Sequence, residues 1–409
     1  MGDANRSFTF GVSCLTFDTI GRTRLMATKE IALKAGPHDR LHCPASVPLG
    51  DAGVTQASLR ESGSDAPVPC QVVVRGGQAS LHWIVEDLKA GQERKYQIAL
   101  GAEGGGQKGG VVLEKTPEHE VRVSVAGKLA TAYRYGADLA RPHLYPLVGP
   151  HGDGVTRNLA APGDKLDHPH HRSVWIAHGE INGLNNWAET PGHGRTKHTG
   201  FDALESGPVL GRIVAKGDWV GPEGWACPTR ANKLLEETAE WTFYKAPTLT
   251  FDLRLTLKAM DMDVLFADTK EGGLASIRVQ ESMEVRHGGR IENAYGGIGE
   301  KETWGKPAHW CDYSGPVNGR TVGVTIMDAP DSFRHPTRWH VRDYGLMTAN
   351  PFGLSHYTGD IKQRSYYVLP AGQELKASYR FYVHAGDAAE GRVRERYHDF
   401  ANPPVAQIV

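Results

Sequence analysis

The stretch KLDHPHHRSVWIAHGEINGLNNW, residues 165–187, gathers four histidines, an aspartate, an arginine and two tryptophans. The chain has 19 histidines in 409 residues, so four of them between His168 and His178 is a concentration that composition does not explain. Imidazole gives or takes a proton near neutral pH, and in its neutral form it is also a common metal ligand. Read as extended chain, Asp167 to Arg172 puts His168 and His170 on one face and His171 on the other. Such a pair serves either acid–base chemistry or, with His143 or His178, a metal; a metal needs further ligands and outer acceptors that the sequence does not locate. The organic reading has more parts in place. Arg172 offers a planar fork to a carboxylate or a developing oxyanion. Trp175 and Trp187 offer flat faces to a sugar ring, although a tryptophan in the context VWIA equally suits a core.

Two further constellations lie downstream. In FADTKEGGLASIRVQESMEV, Asp268, Lys270 and Glu271 precede a Gly-Gly turn and an alternating strand. The bland reading is a solvated loop; the functional one makes Glu271 a base working opposite a histidine acid. In RHPTRWHVRDYGLMTANPFG, His335, His340, Arg342 and Asp343 cluster with Trp339 and Tyr344, and Asn350 before Pro351 closes a turn.

The elements that must position these groups are strands. Phe251, Leu253, Leu255 and Leu257 alternate with polar residues, and RKYQIAL, CQVVVRGG and LKASYRFYVHAG read the same way. One helix is expected near the other end, with Asp387 and Glu390 as its capping box and Val393, Tyr397 and Phe400 on one face. The run Gly101 to Gly110 has almost no packing groups and reads as a linker. It divides a small N-terminal β-sandwich, residues 1–110, from a large catalytic unit, residues 111–409. AGQE precedes a strand in both, which reads as shared turn chemistry rather than a repeat. The expected class is all-β, with a large sandwich, a small accessory sandwich and a short C-terminal helix.

Composition excludes several classes. Net charge is −1 with no basic run, so nucleic acid is not an expected partner. The five scattered cysteines, without C-x-x-C spacing, argue against a disulfide framework or thiolate metal site. Apolar runs fall far below the ~18 residues of a membrane span. No phosphate loop, secretion pattern or cofactor motif is evident, and a cytoplasmic protein, with homo-oligomerisation open, is the default expectation.

The motifs RPHLYPLVGPHGDGVTRN, DHPHHRSVWIAHGEINGLNNW, DTKEGGLASIRV, WCDYSGP and HVRDYGLMTANPFG, in this order, resemble a bacterial family labelled "methane oxygenase PmoA" or simply a domain of unknown function. The likeness covers roughly residues 141–386. Relatives usually have glycine where this chain has Ser173. The oxygenase label does not suit a chain without a membrane span. The resemblance implies a β-supersandwich of the galactose-mutarotase type and a setting in carbohydrate catabolism beside sugar oxidoreductases and isomerases. It also implies that His143, Arg157, His168, His170, His171, Arg172, His178, Lys270, Glu271 and Asp343 surround one pocket.

The expected activity is cleavage of a glycoside or keto-glycoside. His168, His170 or His171 would be the acid and Glu271 the base, with Arg172 and Lys270 steadying negative charge and Asp343 as a further carboxylate. The substrate-binding set would be His143, Arg157, Trp175, His178, Trp187, Lys270, His340 and Asn350. Rival expectations are a sugar mutarotase or epimerase, a sugar-binding protein without catalysis, and a metal-dependent enzyme using the histidine cluster.

Overall fold

The structure is a computed structural model that describes residues 28–50, 53–101, 109–161, 163–225 and 232–409. Most of the expected linker, together with Cys14 and Cys227, lies outside the described residues. Cys43, Cys70 and Cys311 are buried free thiols.

Two antiparallel eight-stranded sheets face each other across the main core. The first runs, in spatial order, Trp339–Val341, Leu346–Ala349, Gly272–Arg278, Val174–His178, His143–Leu144, Lys128–Arg134, Glu120–Val125 and Val111–Thr116. The second contains the longest strands, Lys233–Tyr244, Leu249–Ala259 and Glu374–Ala385 among them. The alternation read in the sequence explains the packing. Phe251, Leu253, Leu255 and Leu257 are buried in the core between the sheets, with Phe381, Trp241 and Tyr379 beside them. The all-β supersandwich expected from the sequence is therefore the observed architecture.

A separate core of Ile31, Leu33, Leu59, Leu81, Trp83 and Ile98 holds the small unit, a five-stranded sheet against a three-stranded one. Its edge strand, Val405–Ile408, comes from the other end of the chain and pairs antiparallel with Thr28–Lys34. The division at residue 110 thus leaves one strand of the small sheet on the far side of the large unit. The two AGQE segments play one local part: Gly91 and Gly372 adopt φ of 75° and 74° just before the strands Glu93–Leu100 and Glu374–Ala385.

The capping box is present but closes a different element. Asp387 Oδ1 accepts from the amides of Ala389 and Glu390, and Glu390 Oε2 accepts from the Asp387 amide. These bonds fix a tight turn, after which Arg392 at φ 52° redirects the chain and the helix Val393–Ala401 begins. Val393 and Tyr397 bury as the periodicity requires.

This helix also clamps the small unit. Buried Arg40 donates to the carbonyls of Ala35 and His398 and pairs with Asp399 at 3.4 Å. Removing a buried guanidinium leaves its acceptors unpaired, so Arg40→Ala should lower unfolding stability by about 3 kcal/mol, measured by chemical denaturation. A loss within error would show that the clamp contributes nothing.

Candidate functional site

The first sheet presents one row of side chains across five strands, on the face away from the main core. Register pairs His143 with Trp175, Trp175 with Ser276, Ser276 with Thr348 and Thr348 with His340. Period-2 alternation puts their chain neighbours Leu144, Val174, Ile277, Met347 and Val341 into the core. The Ser276 and Thr348 hydroxyls bond at 2.7 Å. Gly273 lets them meet, because a Cβ there would stand 1.4 Å from Thr348 Oγ1.

The histidine segment lies against this floor, and it is not the extended strand expected. Pro169 starts a turn, closed by the His171 amide on the His168 carbonyl at 3.0 Å. The turn makes the His168 and His171 rings parallel, 4.8 Å apart, with His170 edge-on to both. His171 stacks in turn on Trp175, and His168 on Tyr344. Ser173 occupies φ 61°, the left-handed conformation that glycine adopts without penalty. Its hydroxyl bonds Thr156 Oγ1 at 2.8 Å.

Asp167 organises the turn. Its carboxylate takes Arg157 Nη1 at 2.6 Å, Arg278 Nη2 at 3.1 Å and His168 Nδ1 at 3.0 Å. Burial pushes this carboxyl up, but the hydrogen bonds and cations outweigh it and hold it down to about 2. Arg278 is itself fully buried and also bonds Glu284 and His171 Nδ1. A second frame is Glu189, which takes Arg172 at 2.5 and 3.1 Å and Arg141 at 3.2 Å.

The histidines at the floor are neutral. Burial above all, with neighbouring cations, lowers His143 and His340 to about 3 and His170 to about 4. Burial, then His170 and Arg278, puts His171 well below its ordinary value. His340 Nδ1 accepts from Trp304 Nε1 at 2.9 Å. Several buried polar atoms here have no partner: His143 Nε2, His171 Nε2, Trp175 Nε1 and Trp187 Nε1.

Most expected site residues therefore meet, but in altered parts. Lys270 and Glu271 pair at 2.9 Å and are partly exposed; the Glu271 charge reaches His170 and Tyr344. Asn350 closes its turn on the Phe352 amide and holds the 269–271 loop through the Thr269 and Lys270 carbonyls. Arg157 and Arg172, expected at a ligand, are spent on Asp167 and Glu189. His178 lies on the core side against Phe266 and Phe352, bonded to the Ala267 carbonyl. Exposed Asp343 braces Glu300 rather than facing the histidines: its carboxylate accepts the Glu300 amide, and Glu300 accepts its own. His335 departs to a separate group with Asp328 and His309.

Sequence reading missed Asp167, Arg278, Arg141, Glu189, Ser276 and Thr348. The alternation of GGLASIRV, once set in a sheet with an inward Ile277, is the signal that places Ser276 and Arg278 together on the outer face. Among the described residues, no group of three or more His, Cys, Asp or Glu side chains is placed to hold a metal ion. No helix there is long and apolar enough to cross a membrane.

This site lies within residues 120–398, which match a family of unknown function, DUF6807, and the chain belongs to that family. No curated protein matches it. Among solved structures, it is similar to a glycosyl hydrolase family 38 protein from Enterococcus faecalis, with a TM-score of 0.43 and 10% identity over 93% of this chain and 47% of that one. An alpha-mannosidase from E. faecalis V583 gives 0.45 and 11%, over 93% of this chain and 46% of that one. An alpha-galactosidase from Lactobacillus brevis gives 0.34 and 7%, over 72% and 42%. The chain spans less than half the length of each.

The low Asp167 carboxyl has a measurable consequence. Its folded value is depressed, so its contribution to stability is present above the ordinary 3.8 and is lost as pH falls toward about 2. Asp167→Asn should therefore be less stable than wild type at neutral pH, with the gap closing on acidification below about 4. Denaturant midpoints across pH test this; a gap that does not narrow would sink it.

Proposed function

We propose that this protein is a carbohydrate-active enzyme that cleaves a glycosidic bond, in a plain or keto-bearing sugar, by histidine and carboxylate acid–base chemistry. The observation that carries this reading is the Asp167–His168 pair standing beside a floor of neutral, partly unpartnered imidazole and indole groups. A carboxylate on Nδ1 orients an imidazole for proton transfer at Nε2, the logic by which a base is held by a third group. Polar atoms without partners among flat aromatic faces suit a ligand rich in hydroxyl and carbonyl oxygen. Glu271, paired with Lys270 at the partly exposed edge, is the second proton-transfer group.

The reading makes a small sugar the partner and places the protein beside a sugar oxidoreductase, in line with the PmoA-labelled proteins it resembles. It requires no cofactor, and a cytoplasmic setting is part of the proposal. Retaining or inverting hydrolysis with two flanking carboxylates is disfavoured, since Asp343 is engaged with Glu300.

Proton NMR of the protein with free sugars, glycosides and 3-oxo-glycosides tests this. Anomeric glycoside signals should disappear with wild type, and His168→Ala should slow their loss by about 10²–10⁴-fold. Faster anomer exchange without cleavage would favour a mutarotase instead. Spectra identical to buffer would reject the enzyme reading.

A further inference from the structure

We infer that His168 and His171 form a matched pair, a proton acceptor beside a proton donor, that enolises a keto-sugar while His171, Trp175 and Trp187 hold the enolate oxygen. This rests on reading the site as an acid–base centre for sugars, and it names the substrate class and the roles.

The partners of each ring fix its tautomer. A guanidinium only donates, so His171 Nδ1, 3.2 Å from Arg278 Nη1, accepts, and the neutral ring carries its proton on Nε2. A carboxylate only accepts, so His168 Nδ1, 3.0 Å from Asp167 Oδ2, carries the proton and leaves a lone pair on Nε2. Asp167 thus sets both rings, one directly and one through Arg278. The two parallel rings, with centres 4.8 Å apart, offer opposite chemistry at their Nε2 atoms.

The donor side is larger than one histidine. Trp175 Nε1 and Trp187 Nε1 are further N–H donors without partners, and the centres of the three rings lie within 5.5 Å of one another. All three groups are neutral. The guanidiniums nearby are committed: Arg157 and Arg278 to Asp167, Arg141 and Arg172 to Glu189. Lys270 pairs with Glu271 and Arg342 with Glu300, so among the described residues of this site a carboxylate or phosphate ligand would find no uncommitted cation. Neutral donors whose N–H groups are buried instead favour an oxygen on which charge develops during reaction. A base beside such donors is apparatus for removing a proton from carbon next to a carbonyl.

The step balances without a co-reactant. His168 Nε2 takes the proton from the carbon flanking the ketone; that C–H pair becomes the enolate C=C, and the carbonyl π pair moves to oxygen. When the carbonyl re-forms, the glycosidic C–O bond beyond it breaks. The leaving oxygen takes the proton from His168 and departs as an alcohol, leaving an enone. His170 stands edge-on to His168, His171 and Trp187, so its ring must move for the oxygen to reach the buried donors.

The test uses a 3-oxo-1,5-anhydrohexitol, which has no glycosidic leaving group, in deuterium oxide. Proton NMR should show the hydrogens flanking the ketone exchanging faster with wild type than in buffer. His168→Ala and Trp187→Phe should each slow exchange by about 10²-fold, with thermal melting confirming that the variants fold. If Trp187→Phe does not fold, Trp175→Phe carries the same test. Exchange at the buffer rate, or exchange untouched by the indole change in a folded protein, overturns the inference even where glycosides are cleaved. Exchange without cleavage of any glycoside upholds it and overturns the cleavage reading instead.

Discussion

A single buried guanidinium decides the shape of the site. Arg278 stands on the outer face of the first sheet, 1% exposed, and a cation so placed is costly unless its donors are matched. Its matches are Asp167, Glu284, the His171 ring and the face of Tyr344. They come from three separate segments, the histidine turn, the stretch around Glu284 and the loop at Tyr344, so satisfying Arg278 draws those segments onto the sheet. The histidine turn has its fixed geometry because its aspartate is needed there.

Around this bond, charge and neutrality are kept apart. Asp167 with Arg157 and Arg278, and Glu189 with Arg141 and Arg172, form two ionic frames. Between and below them, His143, His171, Trp175 and His340 are buried and uncharged. The frames consume the arginines that would otherwise fill the centre with positive charge, and leave there a set of neutral hydrogen-bonding groups. That division suits an uncharged ligand rich in hydrogen-bonding groups better than an acid.

Much of this was legible in residue patterns. The period-2 runs Phe251–Leu257 and Tyr96–Leu100 became buried strands because alternation is itself the condition for burying one face. The density of histidines marked the segment that lies against the five-strand floor. The local conformation of that segment was not legible, since Pro169 and the left-handed backbone at Ser173 converted an apparent strand into a turn. Nor could the sequence apportion the arginines. Arg172 and Arg278 look equally available on paper, and only the packing of distant loops shows which carboxylate each one holds. The capping box at Asp387 was real chemistry attached to the wrong element, because the same reciprocal bonds close a turn as readily as a helix.

The pairing of Val405–Ile408 with Thr28–Lys34 bears on how the molecule is made. The small sandwich has nearly all its strands early in the chain, yet one edge waits for residues synthesised several hundred positions later. Until then Thr28–Lys34 is an unprotected edge, open to pairing with the wrong chain. Closing it is a contact of very high sequence separation, which ties the small core to the far end of the large one. The strand Val405–Ile408 works as a latch that joins the two ends of the chain in one sheet.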